Sequence, residues 1–273
     1  MFSVPRSLLL ALLSTLLLAC SGPAPDSAGA PSTPASPEIN RVIVLGMIHS
    51  GHETSEVYST ARVKGVMRAI DPDYVLTEIP PDRMEEAMRS FTEEGVVTEA
   101  RVTRFPEYKD ALFPLIPEMN FEIIPTAGWT SEMANFRRDA LQAISQDETR
   151  ADDWAAYQAA LTEMREAIGD KRDDPYFIHS DEYDALTKAG YTPYAKLFAN
   201  DLGVGDWETI NAAHYSYIER GLDRLTGEGA TILITYGAGH KYWFLEQLRE
   251  RTDIELISPL PYFDQVPADT DGN

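Results

Sequence analysis

The chain has 273 residues, with 44 acidic against 23 basic side chains and a net charge of −21 at neutral pH. So acidic a surface repels phosphate backbones and excludes nucleic acid as an expected partner. Its 44% hydrophobic and 25% charged residues are ordinary for a domain with a full core. The single cysteine, Cys20, leaves the folded part with no internal disulfide and no thiolate metal site.

The N-terminus reads as a targeting segment. Arg6 supplies a positive start, and residues 8–18 form an apolar run too short to span a bilayer comfortably. The run ends in Leu17-Leu-Ala-Cys20, which resembles a bacterial lipobox. That implies a signal peptide over 1–19, cleavage before Cys20 and lipidation of its thiol, palmitate included. Ser21 after the cysteine resembles the pattern of lipoproteins sorted to the outer membrane, so the expected location is the cell envelope, facing the periplasm. Residues 20–39 are rich in Pro, Ser and Ala and read as a flexible tether. The folded domain is expected over 40–264, with a disordered tail over 265–273.

The first strand is read at 42–45, four consecutive apolar residues suited to burial on both faces. Gly46 ends it, and His49 follows in the turn. Thr54 or Ser55 is the expected cap of a helix to Ile70, with Val57, Ala61, Met67 and Ile70 among its apolar positions. Asp71-Pro72-Asp73 stops it. A second strand, 74–77, ends on Glu78. The strand–helix–strand order predicts a parallel pair joined by a right-handed crossover, which puts Glu78 at the same sheet edge as His49.

Helices are expected over 84–91 and 108–116, and a third strand over 121–124. Residues 130–203 contain no strand pattern and read as a helical insertion that can cap the sheet edge. Within it Trp154, Tyr157, Leu161, Met164 and Ile168 recur at helical spacing, a packing stripe. A helix over 207–225 has Trp207, Ile210, Tyr217, Ile218, Leu222 and Leu225 as its apolar positions. Asn211 and His214 fall on or beside that face, where a histidine is more often a hydrogen-bonded core residue than a site residue. Then come a strand at 231–235, Gly237-Ala-Gly-His240, a helix to 251 and a last strand at 254–257.

Both ends of the domain thus follow one order: strand, Gly-x-x-His, helix, strand. With five histidines and 17 glycines in the chain, chance supplies about 0.3 copies of Gly-x-x-His. Two copies, each directly after a buried strand, mark a repeated unit. Gly46, Gly237 and Gly239 let the backbone turn sharply and approach a ligand. The predicted fold is α/β, with a mixed or mostly parallel sheet flanked by helices, built from the two units with the insertion between them. In such sheets ligands bind at the carboxyl ends of the strands.

Two imidazoles and a carboxylate form a familiar set for a catalytic divalent ion, and His49, Glu78 and His240 supply one. The same trio can run acid–base chemistry without metal. His52 and Glu53 are further candidates, although their loop position reads first as solvated surface; Asn211 and His214 complete the set.

Val44-Leu-Gly-Met-Ile-His49, Pro72-Asp-Tyr-Val-Leu-Thr-Glu78 and Tyr236-Gly-Ala-Gly-His240 together resemble the TraB/PrgY, GumN and Tiki group. That group sits in a wider set with erythromycin esterases and ChaN-like proteins. The resemblance covers roughly 41–83 and 205–258. It implies a site at His49, Glu78 and His240, with Asn211 matching a polar position of the preceding helix. It further implies metal-dependent hydrolysis, of peptides or a small molecule, with Mn, Co or Zn. Two departures stand out: Ile210 replaces an arginine of some relatives, and the second unit ends on Ser258 rather than a carboxylate. The wider set also contains metal-free hydrolases and haem- or ligand-binding lipoproteins, which remain alternative expectations.

Overall fold

The computed structural model describes residues 38–268. The signal peptide, Cys20, the tether up to residue 37 and the last five residues of the tail lie outside the described residues. Among the described residues no helix is long and apolar enough to cross a membrane.

One five-stranded parallel sheet carries the domain: β1 (Asn40–Met47), β2 (Tyr74–Thr77), β3 (Glu122–Pro125), β4 (Thr231–Gly237) and β5 (Ile254–Ile257). Their spatial order is β3-β2-β4-β1-β5. The two strand–helix–strand units therefore interleave. β1 and β4 pair side by side at the centre, with Val44 opposite Ile234 and Met47 opposite Gly237. Each unit's second strand lies on the far side of the other unit's first strand. The expectation of an α/β fold with a mostly parallel sheet holds, and all of its strand pairs are parallel.

The period of two along the strands sorts side chains into two layers. Ile43, Leu45, Met47, Val75 and Leu233 face one core, together with α1 (Thr60–Ile70) and α2 (Pro81–Glu94). Val42, Val44, Leu76, Ile232 and Ile234 face the other. The 130–203 insertion is helical: α3 (Ser131–Gln146), α4 (Ala151–Ile168), α5 (Pro175–Ile178) and α6 (Asp181–Leu202). Tyr157 and Leu161 of the α4 stripe bury against Tyr194 and Phe198 of α6, with Trp154 and Met164 packed beside them. α7 (Trp207–Arg224) and α8 (Ala238–Leu248) cover the second face, and α9 (Leu260–Phe263) closes the chain.

Several expectations are corrected. α1 begins at Thr60, because Ser59 caps it by accepting the Arg62 N–H, while Ser55 instead accepts the Tyr58 N–H in the preceding turn. The later start leaves Val57 and Ala61 exposed and buries Arg62, whose guanidinium is satisfied by the carbonyls of Val57, Phe263 and Val266. The expected helix at 108–116 is a π-helical turn, Glu107–Leu112, followed by a 3-10 turn, Phe113–Leu115. Pro114 has no N–H to continue an α-helical ladder there. Tyr217, expected on the apolar face of α7, is exposed. Of the tail, residues 265–268 are described, and the Val266 carbonyl accepts from Arg62 Nε at 3.1 Å.

Candidate metal and acid–base site

The carboxyl ends of β1, β2 and β4 bring His49, Glu78 and His240 to one sheet edge. Each is held by a different device. Glu78 follows β2 and is buried. Its Oε2 accepts the Gly237 N–H at 2.9 Å, and its own N–H donates to the Tyr108 hydroxyl at 2.7 Å. That hydroxyl donates onward to the Thr235 carbonyl at 2.8 Å, so Tyr108 ties the end of β2 to the end of β4. Gly237 is required by close approach: a Cβ there would lie 2.6 Å from His49 Nε2.

His49 sits in a 3-10 turn, His49–Glu53, with φ of 50°. This is the left-handed region that a side-chain-bearing residue rarely adopts, and such strain clusters at functional sites. Its Nδ1–H donates to Glu107 Oε1 at 2.6 Å, and Nε2 lies 3.9 Å from Glu78 Oε2. Glu107 is fully buried, and its second oxygen has no hydrogen-bond partner among the described residues. Burial pulls the His49 imidazole down, but the Glu107 hydrogen bond and the charges of Glu78 and Glu107 outweigh it, raising the pKa to about 9. His49 is therefore an imidazolium at neutral pH in the metal-free site.

His240 lies in the first turn of α8 rather than in a loop before it. Its Nδ1–H donates to Asn211 Oδ1 at 2.7 Å, and the Asn211 amide is oriented by its own bond to the Trp207 carbonyl. The ring stacks on Trp207 at 4.8 Å, which stacks in turn on Tyr191 of the insertion at 4.0 Å. Burial lowers the His240 pKa to about 3, against the charge of Glu78. The ring is neutral, with its Nε2 lone pair free to act as base or ligand.

Glu78, His214 and His240 each offer one ligand atom within 4.8 Å of the others, a group that can hold a metal ion. His214, on α7, is buried and its pKa is lowered by burial to about 3. Its Nδ1, however, accepts the Gly128 N–H at 2.9 Å. A neutral ring that accepts at Nδ1 carries its proton at Nε2, which makes His214 a hydrogen-bond donor in this arrangement. Proximity and tautomer thus disagree for His214, and the tautomer decides what the ring can donate. The far nitrogens of His49 and His240 are pinned by a carboxylate and an amide in the manner typical of metal-bound imidazoles. Of the expected trio, Glu78 and His240 stand within metal-holding reach of each other, with His214 as the third member of that group; His49, although 3.9 Å from Glu78, is not part of it.

The remaining candidates are structural. His52 is buried rather than solvated; its Nδ1–H donates to the Tyr58 carbonyl at 2.7 Å, and its Nε2 accepts the Ile48 N–H at 3.1 Å. Both ring nitrogens are used, so it has none left for a ligand. Glu53 is exposed, 3.9 Å from Lys109. Gly46 packs against Ala238 and donates its N–H to His179 Nε2 at 3.0 Å. Gly239 has Tyr191 and Trp207 as neighbours. The sequence alone does not single out Glu107. Its only local signal is an acid beside Phe105, Tyr108, Ala111, Leu112 and Phe113, all of them buried. No family model, curated protein or solved structure matches this chain, so the reading of the site rests on its own geometry.

Proposed function

We propose that the protein is an envelope-tethered, metal-dependent hydrolase of the kind its motifs resemble. Lipid on Cys20 would supply the membrane attachment, and a peptide or small molecule the substrate. The observation that carries this reading is the arrangement at the sheet edge: a buried carboxylate between two imidazoles whose far nitrogens are pinned by Glu107 and Asn211. Glu78 and His240 would hold the ion, and His49, 3.9 Å from Glu78, would complete the set by moving in and giving up its Nε2 proton on binding. A divalent ion of the Mn, Co or Zn class supplies a water acidic enough to ionise near neutral pH. The residues themselves supply orientation: Gly237 N–H fixes the Glu78 carboxylate, and the His214 Nε2–H can donate to an oxygen of the substrate.

Metal content of the purified protein tests this directly. Glu78→Ala and His240→Ala are expected to lose bound metal while keeping the wild-type circular dichroism spectrum and melting behaviour; His214→Ala is expected to retain the metal. Unchanged metal content in the Glu78 and His240 variants would sink the proposal. One observation favours a second reading. The protonated His49 between two carboxylates is already equipped as a general acid, with His240 as base. In that metal-free hydrolase, cleavage of a substrate panel would survive exhaustive treatment with chelating resin.

A further inference from the structure

In a chain this acidic, one cleft is lined by arginines. A cavity of about 740 Å³ opens beyond the ends of β2 and β3, with Arg83, Arg101, Arg104 and Arg138 in its wall. It adjoins the site through two of its own residues: Gly128, which donates its N–H to His214, and Pro80, two positions after Glu78. Its volume is that of a small-molecule pocket.

Several arginines elsewhere on the surface are neutralised by carboxylates. Arg68 pairs with Glu118, Arg150 with Asp153 and Asp201, Arg224 with Glu122, and Arg251 with Asp223 and Asp253. Within the cleft wall Arg83 contacts Asp82, and Arg138 contacts Asp139. Arg101 and Arg104 differ. Among the described residues neither guanidinium makes an ion pair or hydrogen bond; Arg101 lies over the Phe105 ring at 5.3 Å, and Arg104 is exposed. The nearby acid, Glu99, faces away from Arg101 and Arg104: its Oε2 accepts the backbone N–H groups of Arg101 and Val102 at 2.8 Å each, and its Oε1 lies 4.0 Å from Arg83. The first turns of α2 and α3 also open on this wall, through Pro81, Asp82 and Ser131, and add the positive ends of two helix dipoles.

We propose that this cleft binds the anionic end of the substrate, a carboxylate or phosphate group, through Arg101 and Arg104. The bond to be cleaved then lies at Glu78 and His240. The placement of that bond rests on the hydrolase reading, but the anion site does not. Guanidinium forks suit planar carboxylates and phosphate oxygens. Two unpaired guanidiniums in one cleft beside a histidine site also give a net acidic protein a local attraction for anions.

Calorimetric titration tests it on protein treated with chelating resin, so that no metal competes for the anion. One arm uses inorganic phosphate. The other uses an N-acetyl dipeptide with a free C-terminal carboxylate, with its amidated form as control. One of the two anions is expected to bind, more weakly as salt rises. Arg101→Gln and Arg104→Gln are each expected to weaken binding about tenfold or more. Arg89→Gln, outside the cleft lining and paired with Glu86 and Glu93, should leave it within about twofold. Binding of neither anion at millimolar concentration, or wild-type affinity in both cleft variants, overturns the proposal. His240→Ala separates it from the hydrolase reading: anion binding should persist there even as metal is lost.

Discussion

The two Gly-x-x-His ends of this domain share a pattern in sequence and diverge in chemistry. At the β1 end, His49 takes a left-handed backbone in a 3-10 turn and donates to a buried carboxylate, Glu107. At the β4 end, His240 sits in a regular helix and donates to an amide, Asn211. The first ring is pushed up to about 9 and the second down to about 3. Burial lowers both; a charged partner outweighs it at one end and a neutral partner does not at the other. The motif thus positions an imidazole, while the residue behind the ring decides whether it carries a proton. Two titratable groups with pKa values pushed apart are what an acid–base pair or a graded set of metal ligands needs.

The largest effect that would break this comparison comes from the glycines. Gly237→Ala places a methyl group 2.6 Å from His49 Nε2 and 3.5 Å from Glu78 Oε2. The two groups must separate, and displacement of that order costs about 100-fold in turnover of any substrate the wild type cleaves. Gly46→Ala meets Ala238 at 3.2 Å and Ile178 at 3.4 Å, contacts that small shifts relieve, so its loss of turnover should be much the smaller. Equal losses in the two variants would show that the sheet edge tolerates no side chain anywhere, and the special place given to Gly237 would fall.

Next is an exchange of partners. Glu107→Gln gives His49 an amide like that of His240, and Asn211→Asp gives His240 a carboxylate like that of His49. In an NMR titration of the metal-free protein, His49 should move down from about 9 and His240 should move up from about 3. Metal affinity in Glu107→Gln should drop about 10- to 100-fold, the usual effect of losing a carboxylate behind a ligating imidazole. Unmoved titrations would mean that burial, and not the partner, sets the two states.

The smallest effect is on stability, and its sign differs between the ends. His49 has a raised folded-state pKa, so its contribution is complete below about pH 6.5 and is lost as pH rises through about 9. His214 and His240 are held near 3, as is His179, whose Nδ1–H donates to the Pro175 carbonyl while Nε2 accepts from Gly46. Their contribution is complete above about 6.5 and is lost as pH falls toward 3, because the unfolded chain takes up protons first. Urea midpoints should therefore decline on both sides of neutrality. His49→Gln should flatten the alkaline side and His179→Gln the acid side. A His179→Gln protein with an unchanged acid limb would remove His179 from the account.

The repeated unit was legible because its signals are local. A run of apolar residues, a glycine and a histidine within a few positions specify a buried strand and its exit. Glu78 was legible for the same reason, at the end of the second strand. The start of α1 was not, because two serines compete for one cap and only the turn at 55–58 shows which is occupied. From its place on the apolar face of α7, His214 reads mainly as a core residue. It is buried and hydrogen-bonded as such a residue should be, yet it also stands within 4.8 Å of Glu78 and His240.

The sequence by itself determined the α/β layering, the strands, the helical insertion and the side chains at the two strand exits, because each depends on periodicity or on neighbours along the chain. Tertiary structure decided which nitrogen of each ring is free and where unpaired positive charge collects. Those properties depend on contacts over long separations: 58 positions from His49 to Glu107, 29 from His240 to Asn211 and 86 from His214 to Gly128. A proton's place on an imidazole follows from the group across the space, which is a property of the fold rather than of the motif.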